Sequence, residues 1–202
     1  SDSVGVTLNS ISYSSDNVGT YTTALNATNA LIVNAGLTGA AAANYVLAIP
    51  TNWTAAITPA TLTLTASTQT KVYDGGTIST GSVAVSGLKG SDSVSGLTQA
   101  YLSANALGTA GSTLRVNGYT INDGNSGNNY TVSLVNATGT ITPAPLRVIA
   151  GNDSKTYGDT YSTGTGSTAF TSTGLVNGET IGSISIASTG AVSTANVGSY
   201  AI

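Results

Sequence analysis

The amino-acid sequence predicts an all-β fold of tandem small β-sandwich domains, each about 84 residues long and joined end to end. Three observations support this fold class: a long internal repeat, apolar residues that alternate with polar ones, and regularly spaced turn residues. Immunoglobulin-like and β-grasp-like topologies both fit one such repeat, and the sequence alone does not separate them.

The internal repeat relates residues 57–76 to residues 141–159. Lys71 and Tyr73 recur as Lys155 and Tyr157, and the members of each pair are 84 positions apart. A fixed period of this size is typical of copied domains.

Pro59 and Pro143 mark the predicted boundaries, because proline cannot donate to a central strand ladder and keeps the preceding residue extended. The predicted domains are the C-terminal part of a first repeat, a complete second repeat and the N-terminal part of a third: residues 1–59, 60–143 and 144–202. Two explanations for the partial outer copies stay open. The chain is a segment of a longer array, or neighbouring chains exchange strands.

Strands are predicted wherever apolar residues recur at every second position. In chain order, these runs lie at residues 4–8, 45–49, 62–64, 83–85, 130–134 and, with an interruption, 181–186. Tyr45 opens one of these strands, and Tyr130 opens its counterpart in the next copy. Gly-rich turns separate the runs, and each repeat is expected to contain at most one short helix or helical turn, for which residues 98–107 are a candidate.

The composition argues against several classes of function. Only 6% of the residues are charged, the net charge is −3, and His and Cys are absent. No basic run is present to bind nucleic acid, and no apolar run approaches the roughly 18 residues that cross a bilayer. Without His and Cys, the usual triads and thiol nucleophiles are missing. We therefore expect no enzyme, no catalytic residue, no cofactor, no metal, no nucleic-acid partner and no membrane insertion by this segment.

The scarce charges draw attention to the repeated Lys-x-Tyr segments. We interpret each as a strand end, a packed tyrosine and a Gly-containing turn. Two other hypotheses fit the same residues: a ligand-binding loop, and a covalent Lys-to-Asn crosslink assisted by an acid such as Asp2, Asp92 or Glu179. The predicted structural residues of the repeat are Lys71, Tyr73, Asp74, Gly75, Lys155, Tyr157, Gly158, Asp159, Tyr45, Tyr130, Pro59 and Pro143.

Two further stretches have a possible binding role. Residues 123–129 are rich in oxygen ligands and suggest a Ca²⁺ loop, but Asp123 is their only charged residue, which favours a loop that joins two strands. Trp53 and the ten tyrosines suggest stacking on sugars, although core and strand-pair positions explain them more simply.

Two motifs together give a family resemblance. Lys71-Val72-Tyr73-Asp74-Gly75 is repeated as Lys155-Thr156-Tyr157-Gly158-Asp159, and an Asn-Tyr pair twice precedes an Ile-Thr-Pro-Ala joint at residues 57–60 and 141–144. This series resembles the YDG and MBG (mostly beta, glycine-rich) repeats of filamentous-haemagglutinin-like bacterial surface adhesins. The third copy departs from it by reading Tyr-Gly-Asp, so we expect a different turn after Tyr157.

The resemblance implies extracellular stalk or spacer repeats at the bacterial cell surface, serving adhesion or assembly of a biofilm matrix. It brings no catalytic residues. The partners it implies are neighbouring repeats or copies of the same chain in a filament, and host or matrix glycans. The alternative function is a lectin-like module that binds glycan or protein.

Overall fold

The computed structural model describes residues 3–23, 30–162 and 164–202. These residues form fifteen strands: β1 (Gly5–Tyr13), β2 (Gly19–Thr22), β3 (Leu31–Thr38), β4 (Thr54–Ile57), β5 (Ala60–Ala66), β6 (Gln69–Val72), β7 (Val83–Ser86), β8 (Ser93–Tyr101), β9 (Gly108–Asn122), β10 (Tyr130–Val135), β11 (Ala137–Thr142), β12 (Arg147–Ala150), β13 (Gly164–Ser167), β14 (Phe170–Thr173) and β15 (Ile184–Ile186). Two short 3-10 turns, Ala42–Asn44 and Thr189–Ala191, are the only helical segments of the described part of the chain. The all-β prediction is confirmed.

The described residues group into two compact units. The first draws on 1–67, 80–99 and 115–137, and the second on 68–79, 100–114 and 138–202. Strands β8 and β9 contribute residues to both units.

The first unit contains two sheets of two strands each and one sheet of three strands. β1 pairs with β3 and β2 with β4, both antiparallel, and β5 lies in the middle of the order β10-β5-β7. β5 is antiparallel to β7 but parallel to β10, with Ala60 opposite Tyr130 and Thr65 opposite Val135. Leu62 and Leu64 on one face of β5 are fully buried, as period-two alternation predicts for a half-buried strand.

A second parallel pair lies within the second unit. β6 runs parallel to β11, with Gln69 opposite Gly139 and Val72 opposite Thr142, in a four-stranded sheet of order β6-β11-β9-β8. The second unit buries Leu114 and Ile141 completely, and the hydroxyl of the buried Tyr101 donates to the Gln69 carbonyl oxygen over 2.9 Å. The remaining pairs of this unit are β12 with β14 and β13 with β15, both antiparallel.

A buried glutamine binds the backbone at the point where β5 ends. The Ser67 N–H donates to Gln99 Oε1 over 2.7 Å, and Gln99 Nε2 donates to the Ser67 carbonyl oxygen over 3.0 Å. Gln99 is only 3% exposed. An unpaired buried backbone group costs free energy. The Gln99 amide supplies the hydrogen bonds that a neighbouring strand would otherwise make to Ser67, where the strand ladder of β5 ends.

Two predictions from the sequence are wrong. Residues 45–49 form no strand: Tyr45 is 62% exposed, and the backbone is irregular up to β4. Residues 98–107 form no helix, because Thr98 to Tyr101 complete β8 and the rest form the loop before β9. A short amphipathic run is compatible with either a helix or a strand, and here pairing with β9 favours the strand. Asp2 lies outside the described residues.

Gly87 is required at the end of β7. Its φ is +102°, and a Cβ there would lie 2.3 Å from the Thr61 carbonyl oxygen. Gly174, after β14 in the third copy, has the same φ, and a Cβ there would lie 2.1 Å from the Pro145 carbonyl oxygen. Only glycine tolerates both the left-handed backbone and the close approach.

Gly87→Ala is therefore expected to lower the free energy of unfolding by about 1–3 kcal/mol, measured by urea denaturation followed by circular dichroism. Gly182→Ala is the control, because a Cβ there meets no atom within 4 Å and no positive φ is involved. Equal destabilisation by both substitutions would contradict the proposed steric role of Gly87.

Candidate functional site: the contacts between repeats

The Lys-x-Tyr-Asp-Gly segment of the middle repeat closes a turn directly after β6. The Tyr73 N–H continues the ladder by donating to the Thr142 carbonyl oxygen over 2.8 Å. Asp74 Oδ1 then accepts from the Gly76 N–H at 2.9 Å, and Gly75 takes a φ of +76°. A short acceptor that bonds the backbone two residues on, followed by glycine, is the usual chemistry of a tight turn.

Lys71 holds this turn from the inside. Its ammonium lies 2.7 Å from both Asp74 Oδ1 and the Gly76 carbonyl oxygen, and 5.4 Å from the centre of the Tyr101 ring. The Lys71 side chain is only 13% exposed. The hydrogen bond from Lys71, followed by that from the Gly76 N–H, lowers the pKa of the Asp74 carboxyl.

These contacts place Lys71 in a simple ion pair with a carboxylate. Its acid is Asp74, three residues away, rather than Asp92 or Glu179. The two other acids bind tyrosines instead: Asp92 accepts from Tyr130, and Glu179 accepts from Tyr73. The geometry therefore favours a non-covalent role for Lys71 over the crosslink hypothesis.

The outer side of the same turn contacts the third repeat, within the second unit. The Tyr73 hydroxyl donates to Glu179 Oε1, and this hydrogen bond raises the pKa of Tyr73. A Cβ on Gly75 would lie 2.5 Å from the Asn177 Cβ, so the backbones approach closely here. The Glu179 N–H bonds the Val176 carbonyl oxygen at 3.0 Å, which closes the facing turn. This contact joins consecutive copies of the repeat.

The third copy builds its turn differently, as the Tyr-Gly-Asp order leads one to expect. The glycine with positive φ is Gly158, at +95°, which follows Tyr157 directly. Lys155 Nζ donates to the Asp159 carbonyl oxygen over 3.1 Å, and the Asp159 N–H bonds the Thr156 carbonyl oxygen. Tyr157 is 64% exposed, so the packed tyrosine predicted for this copy is wrong.

A second contact between repeats starts from Asp123. Its carboxylate accepts the N–H groups of Asn125 at 2.9 Å, Gly127 at 2.8 Å and Asn129 at 3.1 Å. Partial desolvation raises the pKa of Asp123, but these three donors outweigh it and hold the pKa below its usual value. The carboxylate thus organises its own loop. No group of three metal-ligating side chains occurs among the described residues.

Asn129, at the end of this loop, reaches the first repeat within the first unit. Its Oδ1 accepts from the Val18 N–H over 2.8 Å, and its Nδ2 donates to Asn17 Oδ1 over 2.9 Å. The buried Tyr21 donates its hydroxyl to the Asn17 carbonyl oxygen, which fixes that segment. Asn129 belongs to the 123–129 loop and to the Asn-Tyr pair of the sequence analysis, but neither pattern predicts its contact with Asn17. The signal for Asn17 is that Asn-Val-Gly-x-Tyr recurs at residues 196–200.

The remaining predicted residues lie near these contacts or at joints. Tyr130 is buried, donates to Asp92 Oδ2 over 2.6 Å and accepts from the Lys89 N–H over 2.8 Å. Pro59 lies between β4 and β5, and Pro143 between β11 and β12. In the part of the chain that the structure describes, no helix is long and apolar enough to span a membrane.

Asp123→Asn is expected to destabilise the protein in a pH-dependent way. Because the folded pKa of Asp123 lies below the unfolded value of about 3.9, its contribution is complete above that pH and is lost as the pH falls through the folded pKa. The difference in unfolding free energy between wild type and Asp123→Asn should therefore shrink in acid. Asp16→Asn, which removes a carboxylate from an exposed turn, is the control, and a difference independent of pH would contradict this role.

Tyr73→Phe is expected to loosen the joint without unfolding the repeats, because it removes only the bond to Glu179. Hydrogen exchange should become faster at residues 73–79 and 176–180 but not at residues 60–66. Tyr119→Phe, a partly exposed tyrosine of β9, is the matched control. Unchanged exchange at both turns would show that Tyr73 does not hold the joint.

Comparison with known families supports the two-motif resemblance. Residues 58–139 match the YDG domain, and residues 146–202 match the MBG domain of the YGX type. Neither the curated proteins nor the solved structures contain a match to this chain. The chain therefore carries a YDG domain followed by an MBG domain of the YGX type.

Proposed function

We propose that this chain is a stalk or spacer segment of a large bacterial extracellular adhesin or surface filament, where it resists tension. The observation that carries the proposal is that the first two strands of the middle repeat pair in parallel with its last two strands. β5 opens the repeat and is parallel to β10, and β6 is parallel to β11, which closes it.

This topology determines the direction in which a pulling force loads the hydrogen bonds between the strands. In a parallel pair, the start of one strand and the end of the other lie at opposite ends of the ladder. Tension along the chain through residues 60 and 142 therefore shears each ladder, so that its hydrogen bonds share the load. Peeling the same strands apart from one end would break those bonds one after another.

The contacts between repeats support the same function. Tyr73 with Glu179 and Asn129 with Asn17 and Val18 are polar contacts made by residues of repeated turns. A spacer needs each copy to be fixed to the next, and turn residues achieve this without interrupting a strand. Short joints at Pro59 and Pro143 fit this role, because proline limits backbone freedom.

The composition and the family resemblance support this proposal. The sequence has few charges and many Thr, Ser, Asn and Gly residues. Such a surface binds charged partners weakly through electrostatic attraction. YDG and MBG domains resemble the repeats of surface adhesins, which supports an extracellular location and a role in adhesion or matrix assembly.

Single-molecule pulling tests the proposal in two geometries of one domain. The chain has no Cys, so paired Thr58→Cys and Ala144→Cys substitutions place handles that shear the parallel pairs. Thr58→Cys with Asn128→Cys instead loads β5 and β10 from the same end and peels them apart. Because forced unfolding reports the unfolding rate, we expect a rupture force several times higher in the first geometry.

The free energy of unfolding of the two double variants is the control. It should be the same for both, because all the Cys handles lie on loops or joints. Similar rupture forces in the two geometries would overturn the mechanical function.

A further inference from the structure

Two Asn-Gly pairs occur in this chain, and valine precedes both of them: Val116-Asn117-Gly118 and Val176-Asn177-Gly178. Asparagine is a thermolabile residue. It deamidates most readily before glycine, because glycine has no side chain to shield the backbone nitrogen that attacks the asparagine amide. Since the residues around the two pairs are alike, a difference in their reactivity within the folded chain has to come from the structure.

Asn177 and Gly178 are the central residues of a tight turn in the third repeat. The Glu179 N–H bonds the Val176 carbonyl oxygen at 3.0 Å. The φ angles are +53° at Asn177 and +75° at Gly178, and positive φ at both central residues is typical of a type I′ turn. Both residues are exposed, and a Cβ on Gly178 would meet no atom within 4 Å. The pair is therefore open to water.

The middle repeat has the same turn, although it contains both its opening and its closing strands. There the Asp92 N–H bonds the Lys89 carbonyl oxygen at 3.1 Å, and Gly90, at the position of Asn177, has a φ of +53°. Lys89, Gly90 and Ser91 are all exposed. The exposure of this turn is therefore a property of the repeat itself.

Asn117 lies in a different setting, in the interior of β9. This strand has β11 and β8 as its neighbours in the sheet. Gly118 is half-buried, and a Cβ there would lie 2.8 Å from Thr98 Oγ1 of β8. Rotation of the Asn117 backbone toward the reactive geometry requires β9 to leave its neighbours, whereas at Asn177 one turn has to open. Opening an exposed turn costs far less free energy than separating paired strands.

We propose that Asn177 is a site of spontaneous deamidation, in which the Gly178 backbone nitrogen attacks the carbon of the Asn177 side-chain amide. The new C–N bond closes a succinimide ring, and the amide nitrogen of Asn177 leaves as ammonia with the proton from Gly178. Water then opens the ring at either of its carbonyl carbons, which gives aspartate or isoaspartate. Water is the only co-reactant.

The site lies in the contact between the second and third repeats, within the second unit. A Cβ on Gly75 would lie 2.5 Å from Asn177 Cβ and 2.8 Å from its Cγ, so the turn after Tyr73 packs against this side chain. Deamidation places a new negative charge beside Asp74 and Glu179, and like charges at short range repel. Isoaspartate also adds a carbon to the backbone of the turn. We therefore expect deamidation to loosen the contact of Tyr73 with Glu179.

Peptide mapping of the aged wild-type chain tests the site. The protein is kept in mildly alkaline buffer and digested with trypsin, which separates Asn117 in peptide 116–147 from Asn177 in peptide 156–202. Mass spectra then follow deamidation at each residue over time. In the folded chain, Asn177 should react several times faster than Asn117. In urea the two rates should become similar, because valine and glycine flank both residues.

Equal rates at the two residues of the folded chain would overturn the proposal. Faster reaction at Asn117 would do the same, and so would a folded chain that stays unmodified at Asn177 under conditions in which the chain in urea reacts.

Two substitutions test the effect of the modification on the contact. Asn177→Asp reproduces one product and should speed hydrogen exchange at residues 73–79. Asn177→Gly is the matched control: it cannot deamidate, and glycine already occupies this position in the middle repeat, as Gly90 with the same φ. It should leave exchange at residues 73–79 unchanged. Circular dichroism shows whether each variant has folded, and wild-type exchange in the Asn177→Asp variant would overturn the link between deamidation and the contact.

Discussion

The parallel pairing between the start and the end of the middle repeat is the constraint on which the rest of this structure depends. A parallel pair cannot be closed by a tight hairpin and needs a long connection. Here the chain between β5 and β10 supplies that connection and includes β6, β7, β8 and β9. The repeat therefore folds around contacts that are far apart in sequence, and its two ends leave from opposite ends of neighbouring strands.

Side-chain hydrogen bonds determine where one of these paired strands ends. Gln99 binds both backbone groups of Ser67 where β5 stops, and it is buried while doing so. A polar side chain in such a position contributes to the uniqueness of the fold, because its removal would leave unsatisfied backbone groups. The joints between repeats follow a similar logic. Asp74 and Asp123 hold their own turns through backbone N–H groups. The neighbouring Tyr73 then contacts the third repeat, and Asn129 contacts the first.

The comparison of equivalent residues shows that a segment of this chain forms a strand only where a partner strand pairs with it. Tyr130 is buried in β10 because β5 lies beside it, whereas Tyr45, which also follows an Asn, is exposed and irregular. Leu146 differs from Leu62 for the same reason. The half-buried, alternating pattern is satisfied only when a partner covers one face, and propensity alone does not hold a lone strand in water.

The sequence by itself determined the β class, the period, the turn positions and the Gly-dependent difference after Tyr157, because each follows from local backbone chemistry repeated at a fixed spacing. It also located Lys71 and Tyr73 as special, since charges are rare in this chain. Only the tertiary structure decided that β5 and β10 are parallel, that Asp74 rather than a distant acid binds Lys71, and that Asn17 meets Asn129. Those outcomes depend on which segments lie side by side, and pairing between residues far apart in the chain leaves little trace in the local pattern of either segment.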